Sequence, residues 1–133
     1  MRNLRLLRLW QFLGLLGVCT LIQQSLTSSP AVEVDLPGGD KLLHFSAYAS
    51  LMLWFGFIYL PGKAYVRIGA GLGLMGIALE FLQGTTGYRT FESADFICNF
   101  LGVAAGGVLA RTRLSMALMY LEKALTHRHL LGG

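Results

Sequence analysis

The chain has 133 residues, 54% of them apolar and 14% charged, with a formal net charge of +4. Together with a mean hydropathy of +0.57, this composition predicts one membrane-embedded domain over residues 1–133, with a core from 40 to 110. The basic excess predicts no nucleic-acid partner, because no nucleic-acid-binding motif accompanies it. The two cysteines, Cys19 and Cys98, lie in apolar runs, and their spacing indicates no disulfide, metal site or cofactor.

Four apolar runs predict the transmembrane segments, at about 9–26, 42–60, 66–82 and 94–110. Each is close to the ~20 residues that a spanning helix needs. Turn-forming residues separate the first three runs, as in Pro37-Gly38-Gly39 and Pro61-Gly62. The predicted fold class is therefore all-α, an integral membrane bundle of about four antiparallel helices.

The first run has an alternative explanation. An Arg-rich start, an apolar stretch and the small residues Ser28-Ser29-Pro30-Ala31 also resemble a secretory signal peptide. The run is longer than the ~7–15 apolar residues typical of a signal peptide, which favours a retained membrane helix.

A fifth helix is predicted after Arg113. Four leucines and an alanine recur there at helical spacing, and Glu122 and Lys123 fall between them. The apolar positions are Leu114, Ala117, Leu118, Leu121 and Leu125. This pattern is typical of an amphipathic helix at the membrane surface, in contact with membrane lipids.

Basic residues predict the orientation in the cell membrane. With the N-terminus inside, nine of the 11 Lys and Arg residues lie on the cytoplasmic side, and only Lys41 and Arg89 lie outside. Positive charge near the ends of spans favours the cytoplasmic side, so both termini are predicted to be cytoplasmic.

Polar residues interrupt the third and fourth runs. Glu80 and Gln83 are three residues apart and Asp95 and Asn99 are four apart, so each pair shares one helix face. The stretch 84–89 between them predicts a loop that ends at Arg89. Ionisable groups at membrane depth usually face the bundle interior and mark a functional site.

A second polar group begins the run at 42–60. Asp40, Lys41 and His44 lie at its start, followed by Tyr48 one turn later. In the predicted topology, this group and the polar residues of the third and fourth runs all lie at the outer face. Three separate segments thus bring polar groups to one membrane level.

The order of these motifs resembles the VanZ-like family of small membrane proteins. The matching patterns are D-K-x-x-H-x-x-x-Y from Asp40, E-x-x-Q from Glu80, the loop residue Arg89, and D-x-x-x-N-x-x-G from Asp95. They cover about half of the chain, from Asp40 to Gly106. The resemblance implies a link, in some relatives, to reduced susceptibility to glycopeptide antibiotics, teicoplanin especially. It does not imply a particular reaction.

Three roles remain open for the polar residues. In an enzyme acting on the head group of a lipid or lipid-linked envelope precursor, His44 would be the base or nucleophile, assisted by Glu80 or Asp95. Alternatively, the same groups would bind a head group without turnover, or join the helices structurally. The residues predicted to bind the ligand are Asp40, Lys41, Gln83, Arg89 and Asn99.

Small residues predict one helix contact. Gly73 and Gly76 in the third run, and Gly102 and Gly106 in the fourth, would allow two backbones to approach closely. We therefore expect the third and fourth helices to pack through these glycines.

Overall fold

The computed structural model describes residues 2–28, 36–88 and 92–131, with side chains as far as residue 125. Its regular structure in those ranges is entirely helical, which confirms the predicted all-α class. The elements are α1 (Leu7–Leu26), α2 (Gly39–Ile58), α3 (Lys63–Thr85), α4 (Ser93–Leu109), a 3₁₀ turn (Arg113–Met116) and α5 (Ala117–Leu131).

Helices α1, α2 and α3 are each long and apolar enough to cross a membrane, with 20, 20 and 23 residues. Helix α4 has 17 residues, and it qualifies only together with the segment Arg113–Leu125, from which it is bent by 73°. By length and composition the described chain therefore has three membrane-crossing helices, or four if the bent pair counts as one.

Consecutive helices from α1 to α4 run antiparallel, whereas α2 and α4 run parallel and pack most closely. Residue neighbours show these directions. The antiparallel pairs are α1 with α2 (Gly14 near Trp54, Gly17 near Leu51), α3 with α2 (Gly69 near Met52, Gly76 near Tyr48) and α3 with α4 (Gly73 near Phe100). In the parallel pair, α4 with α2, Gly102 lies near Phe45 and Gly106 near Ala49. The parallel helices α2 and α4, which α3 connects along the chain, thus contact each other at the centre of the bundle.

The glycines of α4 do not face α3, which corrects one expectation. Gly73 and Gly76 of α3 do contact α4, at Phe100 and Asn99. Gly102 and Gly106 instead lie against the backbone of α2, beside the carbonyl oxygens of Phe45 and Ala49. A glycine stripe shows that a backbone comes close, and here that backbone belongs to α2.

Helix α5 lies across the end of the bundle that holds the start of α1. Leu118 is buried there with Leu4, Trp10 and Ile58, and Glu122 is buried beside it. The predicted apolar stripe is divided, because Leu118 faces the bundle whereas Leu114, Leu121 and Leu125 are exposed. The packed face of α5 therefore contains a carboxylate that the sequence pattern assigned to the polar side.

Candidate functional site

Three helix ends meet at the opposite end of the bundle from α5. The first turns of α2 and α4 bring Asp40, Lys41 and Asp95, and the last turns of α3 bring Glu80. Helix N-termini carry partial positive charge, which favours acidic residues such as Asp40 and Asp95 in the first turn. Glu80, Asp95 and Asn99 are buried, with 1%, 7% and 1% of their surface exposed. The structure therefore brings polar groups of three segments together, as the sequence predicts.

The ring of His44 is held in one orientation by Asn99. Its Nδ1 lies 3.0 Å from Asn99 Oδ1, and because an amide oxygen only accepts, Nδ1 carries the hydrogen. In the neutral ring, Nε2 then holds the lone pair. Nε2 lies 3.9 Å from Asp95 Oδ2, and the side chains of both residues are 10% exposed. His44 therefore presents an acceptor nitrogen next to a buried carboxylate.

Lys41 is paired with acidic residues from two segments. Its Nζ lies 2.7 Å from Glu92 Oε2, 3.1 Å from Asp40 Oδ2 and 3.6 Å from Asp95 Oδ1. These contacts join the start of α2 to the start of α4. Four carboxylates and one ammonium occupy the described cluster, once Glu80 is included, so negative charge is in excess there.

Glu80 joins α3 to the segment that leads into α4. Its Oε1 accepts a hydrogen bond from the backbone N–H of Glu92 at 2.7 Å. Among the described residues, the buried Oε2 has no hydrogen-bond partner, and the same holds for Asp95 Oδ1 and the Tyr48 hydroxyl. Buried polar atoms are nearly always satisfied, so these three indicate a place where a further group can bind.

Gln83 forms a contact between helices α3 and α1. Its Nε2 donates to the carbonyl oxygen of Ser25 at 2.8 Å, and both residues are buried. Nearby, the Tyr88 hydroxyl donates to the Leu26 carbonyl oxygen. These bonds join the end of α3 to the end of α1. The ligand-binding role of Gln83 stays a prediction, and Arg89 lies outside the described residues.

Two sets of side chains are close enough to hold a metal ion. One donor atom from each of His44, Glu80 and Asp95 lies within 4.8 Å of the others, and the same is true of Asp40, Glu92 and Asp95. The first set is mostly buried and contains a nitrogen ligand, whereas Asp40 in the second is exposed. The sequence predicted no metal because these residues are far apart along the chain and match no ligand spacing.

Sequence reasoning gave no site role to Tyr48, Glu92 or Ser25. Tyr48 belongs to the polar group predicted at the start of the second run, one turn after His44 on the same face of α2, but it received no catalytic or binding role there. Glu92 lies three residues before Asp95 and immediately precedes α4, so its nearness to Asp95 along the chain was an available signal. Ser25 contributes a backbone carbonyl, for which a sequence offers no signal.

No protein-family model, curated protein or solved structure matches this chain.

Proposed function

We propose that this chain is a VanZ-like protein of the cell membrane whose polar cluster acts on the head group of a lipid or lipid-linked envelope precursor. The observation that carries the proposal is the orientation of His44, whose Nδ1 is fixed by Asn99 and whose Nε2 faces Asp95 at 3.9 Å. A histidine held in one tautomer beside a carboxylate is suited to accept a proton from a bound hydroxyl or water.

The other side chains have distinct roles in this proposal. Asp95 stabilises the imidazolium that forms when His44 takes a proton, because an opposite charge close by favours the charged ring. Glu80 supplies a second carboxylate next to the substrate. Lys41 already pairs with three carboxylates, so Arg89 is the main group proposed to hold a phosphate or carboxylate. Gln83 and Asn99 keep the surrounding helices and the His44 ring in place.

The biological setting follows from the resemblance to VanZ-like proteins. We propose that the chain reduces susceptibility to glycopeptide antibiotics, teicoplanin in particular, by acting at the outer face of the cell membrane. In the orientation that the basic residues predict, both termini are cytoplasmic, and the ends of α2, α3 and α4 that carry the cluster lie outside.

A non-catalytic role is the alternative, and the hydrogen bonds of the cluster favour it. His44 with Asn99, Gln83 with Ser25 and Glu80 with the Glu92 N–H each join two different segments. In this alternative the cluster only holds the helices together or binds a head group without turnover.

A conservative substitution of His44 tests the proposal. His44→Gln retains hydrogen-bonding capacity but takes no proton near neutral pH. In a teicoplanin-susceptible bacterium, the intact chain should raise the inhibitory concentration of teicoplanin. His44→Gln should abolish this effect while the protein accumulates in the membrane at a normal level. Ser50→Ala, an exposed change on the same helix, is the matched control and should keep the effect.

The outcomes separate the candidate functions. Full protection by His44→Gln would exclude proton transfer by His44 and favour binding without turnover. Loss of folded protein in both His44→Gln and Asp95→Asn, with recovery in the double variant, would favour the structural role. If the intact chain leaves teicoplanin susceptibility unchanged, the glycopeptide link is wrong.

A further inference from the structure

We propose that His44, Glu80 and Asp95 bind a divalent cation, with Zn²⁺ as the preferred ion. The three residues come from α2, α3 and α4 and are separated by at least 15 positions in the chain. The fold nevertheless places one donor atom of each within 4.8 Å of the others. A cation at this point would connect all three helices that form the site.

The first support is a buried carboxylate oxygen without a hydrogen bond. Glu80 is 1% exposed, and its Oε1 is occupied by the Glu92 N–H. Its Oε2 has no hydrogen-bond partner within the described chain, and neither has Asp95 Oδ1. Burying ionised oxygens is costly unless they are paired or coordinate a metal. A cation bound by Glu80 Oε2 would satisfy this oxygen, whereas Asp95 Oδ1 already lies 3.6 Å from Lys41 Nζ.

The second support is the orientation of His44. Metal-bound histidines almost always donate their other ring N–H to a fixed acceptor, which sets the tautomer and the ring angle. Here Nδ1 lies 3.0 Å from Asn99 Oδ1, and Asn99 is itself 1% exposed. Nε2 is thereby left with its lone pair toward the two carboxylates. Asn99 is the positioning residue of the proposed site.

The third support is the donor set. One imidazole nitrogen and two carboxylate oxygens suit Zn²⁺, whereas Mg²⁺ and Ca²⁺ prefer oxygen ligands alone. Zn–N and Zn–O bonds of ~2.0–2.1 Å place tetrahedral ligands about 3.3 Å apart. His44 Nε2 and Asp95 Oδ2 are 3.9 Å apart, and the Glu80 donor lies within 4.8 Å of the other two donors, so the three side chains would have to move closer together around the ion. Three protein ligands leave a fourth position open.

The local charge also favours a cation. Lys41 Nζ is the ammonium nearest to Asp95 among the described residues, and it is shared with Asp40 and Glu92. One ammonium is therefore divided among three carboxylates, Asp95 included, and Glu80 adds a fourth carboxylate to the cluster. If the proposed function holds, the open position of the ion would take an anionic oxygen of the head group. In the zinc-bound protein His44 would then act as a ligand and not as a base, because the ion occupies the Nε2 lone pair.

Zinc binding to the purified full-length protein in detergent tests the proposal. After treatment with a chelator, the protein is titrated with Zn²⁺ alone against a fluorescent zinc indicator, and bound metal is counted by mass spectrometry. We expect one equivalent per chain. Glu80→Gln, Asp95→Asn and His44→Gln should each lose it, and Asn99→Ala should bind about 10–100-fold more weakly, as changes behind a metal ligand do.

Two matched controls identify the site. His127→Ala/His129→Ala removes the only other histidines of the chain. Asp40→Asn removes the exposed carboxylate of the second acidic set and leaves Lys41 paired with Glu92. Both variants should keep the high-affinity equivalent. Loss of zinc in either one, or retention in both Glu80→Gln and Asp95→Asn, would overturn the assignment.

A measurement on the unsubstituted protein tests the site even if the variants fail to fold. Co²⁺ loaded into the intact protein should give the visible absorption of a low-coordinate site with nitrogen and oxygen ligands, and Zn²⁺ should remove it. Absence of this absorption from folded protein would also overturn the proposal. Zinc binding without any antibiotic phenotype would leave the metal site in place and reject only the proposed function.

Discussion

At the residue scale, Glu122 shows how a single carboxylate can organise the end of a membrane bundle. It is 6% exposed on α5. Its oxygens accept hydrogen bonds from the Arg5 N–H at 2.8 Å, the Leu6 N–H at 2.9 Å and the Trp10 indole at 2.6 Å. Residues at a helix start have N–H groups without helical partners, and a carboxylate there also interacts favourably with the helix dipole. Glu122 thus fixes α5 to the start of α1.

Replacing this carboxylate should loosen the contact. Glu122→Gln removes the charge and one acceptor oxygen, and hydrogen bonds to charged groups contribute about 1.5–3 kcal/mol each. We expect a loss of about 1–3 kcal/mol in the free energy of unfolding. The chain has two tryptophans, and their rings are 6.0 Å apart, so tryptophan fluorescence during thermal unfolding reports on this end. Ala124→Gln, at an exposed position of α5, should change stability little. Equal stability of the two variants would contradict the role of Glu122.

The same carboxylate predicts a pH dependence. Burial raises the pKa of Glu122, but the N–H donors of Leu6, Trp10 and Arg5 and the charge of Arg5 outweigh burial and hold the pKa below the ordinary 4.5. A carboxyl with a lower pKa in the folded state stabilises the protein above about pH 4.5 and loses this effect as pH falls through the folded-state value. The stability difference between wild type and Glu122→Gln should therefore be constant near neutral pH and shrink below about pH 4.5. A stability difference that grows on acidification would show that folding raises the pKa of Glu122 instead of lowering it.

At the scale of elements, two adjacent glycines give a sharp test of the contact between α2 and α4. A Cβ on Gly106 would collide with the Ala49 carbonyl oxygen, whereas one on Gly107 would lie 3.8 Å from the Tyr65 hydroxyl. Alanine favours helices over glycine by about 1 kcal/mol. Gly107→Ala should be neutral or slightly stabilising, and Gly106→Ala should destabilise by about 1–3 kcal/mol through overpacking. Thermal unfolding in detergent measures both. If the Gly106→Ala variant is as stable as the Gly107→Ala variant, the close contact between α2 and α4 at Gly106 is contradicted.

Sequence periodicity predicted the helices well because each must present a long apolar surface. The predicted run at 9–26 became Leu7–Leu26, and 94–110 became Ser93–Leu109. The partner of the α4 glycines could not be predicted, since a small-residue stripe permits close packing without specifying the neighbour. Glu122 was assigned to the polar face because a charged residue on an amphipathic pattern normally contacts water. Its i+4 relation to Leu118 was the available signal.

Candidate site residues were found for a related reason. Polar groups in apolar helices stand out, so Glu80, Asp95 and Asn99 could be identified without a structure. Their mutual geometry could not be, because it depends on how α2, α3 and α4 rotate about their axes. The Asn99 contact that selects the His44 tautomer, and the shared pairing of Lys41, follow from that rotation.

At the scale of the whole molecule, polar and apolar groups are divided in the way that a lipid environment requires. Large apolar side chains are exposed along the helices, among them Phe12, Leu15, Val66, Leu74 and Val108. Carboxylates and amides are instead buried where helix ends meet. In water this arrangement would expose a large apolar surface, whereas in a bilayer the lipid tails cover it. The helix directions then decide which membrane side receives each polar cluster.

The orientation of the bundle is the last prediction, and it rests on the distribution of basic residues. Nine of 11 lie at the end that contains the start of α1, the α2–α3 connection and the segments after α4, which favours the cytoplasm. Reporter fusions after Gly62 and at the C-terminus should therefore be cytoplasmic, and fusions after Leu36 and Gly87 external. Because α2 and α4 begin and α3 ends on the same side, both external fusions must agree if His44 and Asp95 face outward. A cytoplasmic signal at Leu36 and Gly87 would invert the bundle and place the polar cluster where external precursors cannot reach it. Disagreement between those two sites would instead show that either α2 or α3 does not cross the membrane, and the fusion after Gly62 would identify which of the two it is.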